Sequence, residues 1–434
     1  MKRSLAAVLG GAAALCLVLA GCGSGDDDSG SSSGPITLTL AGWSLSTTPE
    51  FKTLADGFHA AHPDVTVQLK EYDTTNYDTQ MIADLAAGKA PDIYVQKNLK
   101  NFFTYQNGKQ LVDVSDVASK LGSEVGGLKD YQVDGKTYAI PYRQDSWVLF
   151  YNKDLFAKAG VKPPDGSWTW DDYAAASKEL TTGLKAAGSK ALGDYEHIWQ
   201  STLQGFALAQ TSGASLESGD FGYLKPYYTR ALDLQKAGAQ VSFGDATTNS
   251  LTYQAEFGKQ QAAMMPMGTW YIATLVKQQS TGEADKFAWA MAPAPQQSKA
   301  TTGTSATPVT FGDPTGFGIN PKIKKGEVAA AKDFLAYAAS ANGAKALAGI
   351  GITPADTGAV KDTFFQLAGV PTDDLSKFAF ANHDTKPENP VSKYTTALQN
   401  ILNDMHTAVL SGSKAVDPAI TDAQNRAKNE VLGK

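Results

Sequence analysis

Ile36-Thr37-Leu38-Thr39-Leu40 alternates apolar and polar residues, and Ala41-Gly42-Trp43-Ser44 turns out of it. Period-two alternation predicts a strand with one buried face. Thr48-Pro49-Glu50 then starts a helix, with Thr48 as N-cap and Pro49 at the first helical position. Phe51, Leu54, Ala55 and Phe58 fall on one apolar face of it, and His62-Pro63 ends it. Val65, Val67 and Leu69 alternate as a second strand. Tyr77 to Ala87 is helical, with Met81, Ile82 and Leu85 inward, and Pro91-Asp92-Ile93-Tyr94-Val95 is a short buried strand. This strand–helix–strand order predicts an α/β protein whose sheet is mainly parallel, with helices on both faces.

The style continues along the chain. Val133 to Tyr138 reads as a hairpin with Asp134-Gly135 at its turn. Trp147 to Tyr151 reads as a strand. Trp170 to Leu180 reads as a helix whose start, Thr169-Trp170-Asp171-Asp172, has an N-cap and an acid at N3. Further strands are expected at 261–265, 287–291 and 317–320. Further helices are expected at 225–235, 328–339, 395–409 and 418–432. Residues 293–308, rich in Ala, Thr, Ser, Gly and Pro, read as a connector.

Bulk properties narrow the function. The chain has 434 residues, 42% hydrophobic and 19% charged, enough for two domains or one large one. Its formal charge is -6. An acidic chain without a basic cluster argues against nucleic acid as a partner. The five histidines stand at 59, 62, 197, 383 and 406, without metal-ligand spacing, so neither a metal nor a cofactor is expected.

The first residues describe an exported protein. Lys2 and Arg3 form a basic start, Leu5 to Ala20 are apolar or small, and Leu19-Ala20-Gly21 precede Cys22. A cysteine directly after such residues resembles the bacterial lipobox. That resemblance implies cleavage after residue 21, lipid on Cys22 and a place on the outer face of the cell membrane. Residues 22–35, mostly Gly, Ser and Asp, read as a flexible tether. Loss of Lys2 and Arg3 would leave 36 basic and 44 acidic groups, a net of -8. Cys16 would leave with the leader, so the folded body would have no disulfide and no thiol chemistry.

Several stretches carry a resemblance. Tyr138-Ala139-Ile140-Pro141-Tyr142 is followed by Val148 to Phe156. Trp168-Thr169-Trp170-Asp171-Asp172 opens a helix. Phe257 to Met265 leads to Gly268-Thr269-Trp270, and Pro91-Asp92-Ile93 starts a strand. In order and spacing the chain resembles the extracellular solute-binding proteins of ABC importers, in the family that binds sugars. The resemblance implies a two-lobed, Venus-flytrap fold with a multi-crossing hinge and ligand in the cleft. Lobe one would be residues 36–142 and 305–352, and lobe two residues 143–304 and 353–434. The partners implied are a sugar, the permease subunits of the importer and, through lipid, the membrane. The protein would act as a monomer and not as an enzyme.

A sugar needs aromatic faces for its C–H surfaces and paired polar groups for its hydroxyls, on loops beyond strand ends. Trp43 and Ser44 follow the first strand, and Asp73 ends the second. Gln96 and Asn98 follow the third, where the family often uses an acid or an aromatic. Arg143 and Asp145 lie at a lobe crossing. Tyr195, Glu196 and Trp199 open what reads as a helix in lobe two. By resemblance Trp270 is a stacking platform and Gly268 lets a ligand approach the backbone. Asp313 lies at a second crossing.

Two other functions fit the residues less well. The same receptor could take a polyol, a sugar phosphate or a peptide, since Arg143 and Lys97 offer positive charge. A lipid-anchored glycosidase would need a carboxylate pair in a catalytic motif, and the sequence has none.

Overall fold

Thr39 and Asp92 stitch the start of the first sheet. The Thr39 N–H and hydroxyl both donate to Asp92 Oδ2, at 2.8 and 2.6 Å, and the Asp92 N–H donates back to Thr39 Oγ1 at 2.9 Å. A threonine on the polar face of one strand thereby fixes the entry of another.

The computed structural model describes residues 34–433 apart from 47, 359, 361 and 362. The expected leader, Cys22 and the tether up to residue 33 lie outside the described residues. Among those described, the strands in chain order are β1 (Ile36–Gly42), β2 (Val65–Glu71), β3 (Ile93–Gln96), β4 (Gln132–Val133), β5 (Lys136–Thr137), β6 (Ile140–Gln144) and β7 (Trp147–Asn152). There follow β8 (Leu192–Asp194), β9 (Ala262–Gly268), β10 (Trp289–Pro293), β11 (Val309–Phe311), β12 (Pro314–Ile319) and β13 (Asp384–Lys386).

One sheet has the order β2-β1-β3-β12-β6 and a second the order β10-β7-β9-β8. Each has its own hydrophobic core, so the body has two lobes. The sheets are mixed rather than mainly parallel. In the first, β1 runs parallel to β2 and β3, but β12 is antiparallel to β3 and β6. In the second only the β8–β9 pair is parallel. Periodicity reports which face of a strand is buried, not the direction of its partner. An unforeseen parallel pair, β11–β13, lies beside the two sheets.

Local chemistry explains most element ends. Asp134 and Gly135 both have positive φ, at 51° and 76°, as a two-residue hairpin turn requires. Thr169 and Asp172 form the expected capping box. Pro49 occupies the N-cap itself, one residue before the expected helical position, and Glu50 is the first helical residue. Asp194 to Trp199 do not open a helix. Asp194 ends β8, and the helix Ser201–Gln210 starts later. Asp194 is held in the sheet, where its carboxylate accepts the hydroxyls of Tyr173 and Ser177.

The two cores are built differently. The first packs Leu38, Leu40, Ile93, Val95, Phe317 and Ile319 from its sheet against Phe51, Phe58 and Phe334 from helices. The second is larger and richer in methionine, with Phe150, Tyr173, Phe206 and Met264 fully buried. Trp168 and Trp170 both pack at the start of their helix: Trp168 lies 6.4 Å from Phe156 against the second core, and the buried Trp170 has the Arg230 guanidinium 4.0 Å above its ring.

Phe317 is fully buried and stacks on Tyr142 at 4.2 Å. Phe317→Ala should lower the unfolding free energy by about 3–5 kcal/mol, read by denaturant titration. A loss below about 1 kcal/mol would contradict this account of the first core.

Candidate functional site

Chain segments cross between the sheets side by side. β6 runs into β7 through Asp145 and Ser146, and β11 runs into β12 through Gly312 and Asp313. A third segment around Thr353 to Ala355 lies along the first. The Gln144 N–H donates to Thr353 O at 3.2 Å and the Ala355 N–H to Tyr142 O at 3.0 Å. Gly312 is where the second crossing touches the first: a Cβ there would stand 2.1 Å from Asp145 O.

Arg143 is buried among these crossings. Its Nη1 donates to Glu50 Oε2 at 2.5 Å, and its Nε stands 2.7 Å from Asp145 Oδ2 without hydrogen-bond alignment. Glu50 is fully buried at the start of the helix Glu50–Ala61. Burial raises the pKa of both carboxyls, and the arginine charge opposes that rise. Burial likewise disfavours the charge on Arg143, but attraction to Glu50 and Asp145 outweighs it and holds the guanidinium charged.

Asp145 leads from this cluster to an aromatic group in the second lobe. Its Oδ1 accepts from Thr269 Oγ1 at 3.0 Å. The next residue, Trp270, is half-buried and stands edge-on to Trp147 at 5.4 Å. Trp199 lies 6.5 Å from Trp270, with Tyr253 5.5 Å and His197 4.5 Å from Trp199. Trp199 is the exposed large hydrophobic residue among those described, at 40%. Burial pushes the His197 pKa down to about 4, so this aromatic group is uncharged near neutral pH.

The other sequence candidates lie elsewhere. Trp43 packs in the first core, edge-on to Phe51 and Tyr77 at 5.2 and 5.1 Å. Ser44 meets Thr74 Oγ1 at 3.0 Å, and the exposed Asp73 caps its own turn through Asn76. Gln96 is buried, with its amide against Gly318, and that amide has no hydrogen-bond partner among the described residues. Asn98 accepts from the Lys100 N–H. Lys97 reaches Thr74 O at 2.7 Å with its ammonium 5.4 Å over the Trp43 ring. Tyr195 and Glu196 turn into the second lobe. The Tyr195 hydroxyl lies 2.9 Å from His197 Nδ1, and Glu196 pairs with Arg230 at 3.4 Å.

Two expectations change meaning. The room that Gly268 leaves is taken by Trp270 itself: a Cβ at 268 would stand 1.8 Å from its ring. The glycine serves the tryptophan's seat rather than a ligand's approach. Asp313 is buried and saturated. It accepts the N–H groups of Leu99, Glu388 and Asn389 and the Asn389 amide. Asp313 therefore ties the loop after β3 to the segment after β13.

Glu50, Thr269, Thr353 and Tyr253 were not singled out from the sequence. Glu50 stands in the first turn of its helix, where an acid is favoured by the helix dipole, so its position alone does not mark it out. Threonines and a lone tyrosine carry no signal either.

The sequence profile of the bacterial extracellular solute-binding protein family matches residues 44–345. The chain belongs to this family. Among curated solute-binding relatives, the sn-glycerol-3-phosphate-binding periplasmic protein UgpB of Escherichia coli (strain K12) is 31% identical over 186 residues. The chain spans about 40% of the length of the curated relatives it matches. Solved solute-binding structures match over far more. A sugar transporter from Rhizobium etli in an open conformation is 28% identical, with a TM-score of 0.75 over 91% of this chain and 99% of its own. An ABC substrate-binding protein of Listeria monocytogenes in complex with cycloalternan is 20% identical, with a TM-score of 0.74 over 91% and 98%. The two-lobed solute-binding fold follows from these likenesses.

Glu388 gives this solute-binding body a pH dependence. Burial and the nearby Asp313 charge push its pKa from 4.5 up to about 7. The folded state keeps this proton where the unfolded chain has lost it. Glu388 therefore lowers stability progressively as pH rises from about 4.5 to about 7, and the loss is complete above that. Glu388→Gln should flatten the melting temperature against pH across that interval and raise it above pH 7. An unchanged slope would show that Glu388 ionises normally.

Proposed function

We propose that the chain is an extracellular receptor that binds a carbohydrate, an oligosaccharide in our reading, between its two lobes and hands it to the permease of an ABC importer. The observation that carries this reading is Trp199, exposed beside Trp270 and Tyr253, with Trp270 directly following the buried Thr269 that binds Asp145. Flat apolar rings suit the C–H faces of a sugar, and hydroxyl and carboxylate groups suit its rim. Trp270 and Trp199 would stack on the ligand. Asp145 and Arg143 would lie beneath it, and Ser44, Asp73 and Asn98 would face it from the first lobe. Closure would be a hinge motion driven by ligand contacts that exist only when the lobes meet.

The remaining parts of the reading are proposals of the same kind. Lipid on Cys22 and the tether at 22–35 would hold the receptor at the outer membrane face, near its permease. Among the described residues no helix is long and apolar enough to cross a membrane. We take lobe one as 36–142 with 305–352 and lobe two as 143–304 with 353–434. The receptor would work as a monomer, without cofactor and without cleaving its ligand.

A sugar phosphate is the second reading, favoured by the likeness to the sn-glycerol-3-phosphate-binding protein and by Lys97. Arg143 argues against it, because its charge is already matched by Glu50 and Asp145.

Isothermal titration against maltose, maltotriose, chitin oligosaccharides and D-tagatose should find a binder. Folded protein that takes none of them would refute the carbohydrate reading. Trp270→Ala should weaken binding at least about tenfold, roughly 1.4 kcal/mol. Binding that weakens steeply with added salt would favour the phosphate instead.

A further inference from the structure

The Thr269 hydroxyl uses its whole hydrogen-bonding capacity, one donor and two acceptors. It donates to Asp145 Oδ1 at 3.0 Å and accepts from the Ser146 N–H at 3.3 Å and the Thr353 hydroxyl at 3.1 Å. The Thr269 N–H adds a bond to Ser146 O at 2.9 Å. Thr269 is fully buried. Asp145 and Ser146 belong to the first crossing and Thr353 to the third. One side chain thus holds two hinge segments against the end of β9.

Both ends of this network reach something that matters. Beyond Asp145 it continues through Arg143 to Glu50, in the helix Glu50–Ala61 of the first lobe. On the other side the chain passes directly to Trp270, seated on Gly268. A hinge closes by changing backbone angles in a few crossing residues. A displacement of Trp270 is therefore passed to two crossings through one hydroxyl.

We propose that Thr269 is a positioning residue that couples the Trp270 seat to the hinge, so that a ligand settling on Trp270 draws the lobes together. This rests on the carbohydrate reading above. Thr269 need not touch the ligand, and its effect is on the closed fraction rather than on the contacts made. A lower fraction of closing-competent protein weakens apparent affinity in proportion.

The test uses the full chain, the sugar of the panel that binds it most tightly, and two readouts. Titration gives affinity, and small-angle scattering gives the contraction on closing. Thr269→Val has nearly the same volume and lacks the hydroxyl. It should keep binding the sugar about tenfold more weakly while losing most of the contraction. Thr269→Ser keeps the hydroxyl and should restore both. Thr353→Val removes one of the three bonds and should give a milder form of the same split, which serves if Thr269→Val does not fold. Normal contraction in Thr269→Val and Thr353→Val, or a Thr269→Ser that behaves like the valine variant, would overturn the proposal. If no sugar of the panel binds the unaltered chain, the carbohydrate reading falls and the proposal falls with it. If sugar binds and the variants contract normally, only the proposal falls.

Discussion

An arginine buried where two sheets join must be neutralised on the spot. A charge removed from water is tolerated only with partners close by and well placed, and Arg143 has Glu50 and Asp145. The rest of the hinge follows from that requirement. Glu50 must come from the helix that covers the first sheet, and Asp145 must sit where the chain leaves that sheet for the second. The third crossing then lies against the first, and Gly312 in the second crossing has no room for a side chain.

The same chemistry sets what the join offers to its surroundings. The guanidinium is committed to two carboxylates, so the join presents a neutralised cluster rather than a bare cation. Asp145 extends the cluster to Thr269 and so to the residue before Trp270. The polar cluster and the aromatic residues are thus joined by adjacent residues of one chain, Thr269 and Trp270.

Elements with local causes were legible in the sequence. The βαβ order at 36–95, the capping box at Thr169 and the Asp134-Gly135 turn all formed as their residues dictate. Pairing direction was not legible, because it depends on a partner far along the chain. That is why the sheets are mixed. Of the candidate residues, Trp270 and Trp199 were recognisable as aromatics next to polar loops. Tyr195 and Glu196 were not separable from Trp199, because an acidic and aromatic run fits a cleft or an interior equally well. Only the packing of Glu196 on Arg230 decides between them. Glu50 was hidden because an acid in the first turn of a helix also has a dipole explanation.

The hydrogen-bonded crossings have an entropic consequence. Separate domains that meet around a ligand must give up translation and rotation in every direction, a large opposing free energy. Here the crossings lie side by side, with backbone bonds between the first and third. Little freedom remains to the lobes except turning about the line of those bonds. Most of the disorder that a ligand would otherwise have to remove is already gone in the folded chain.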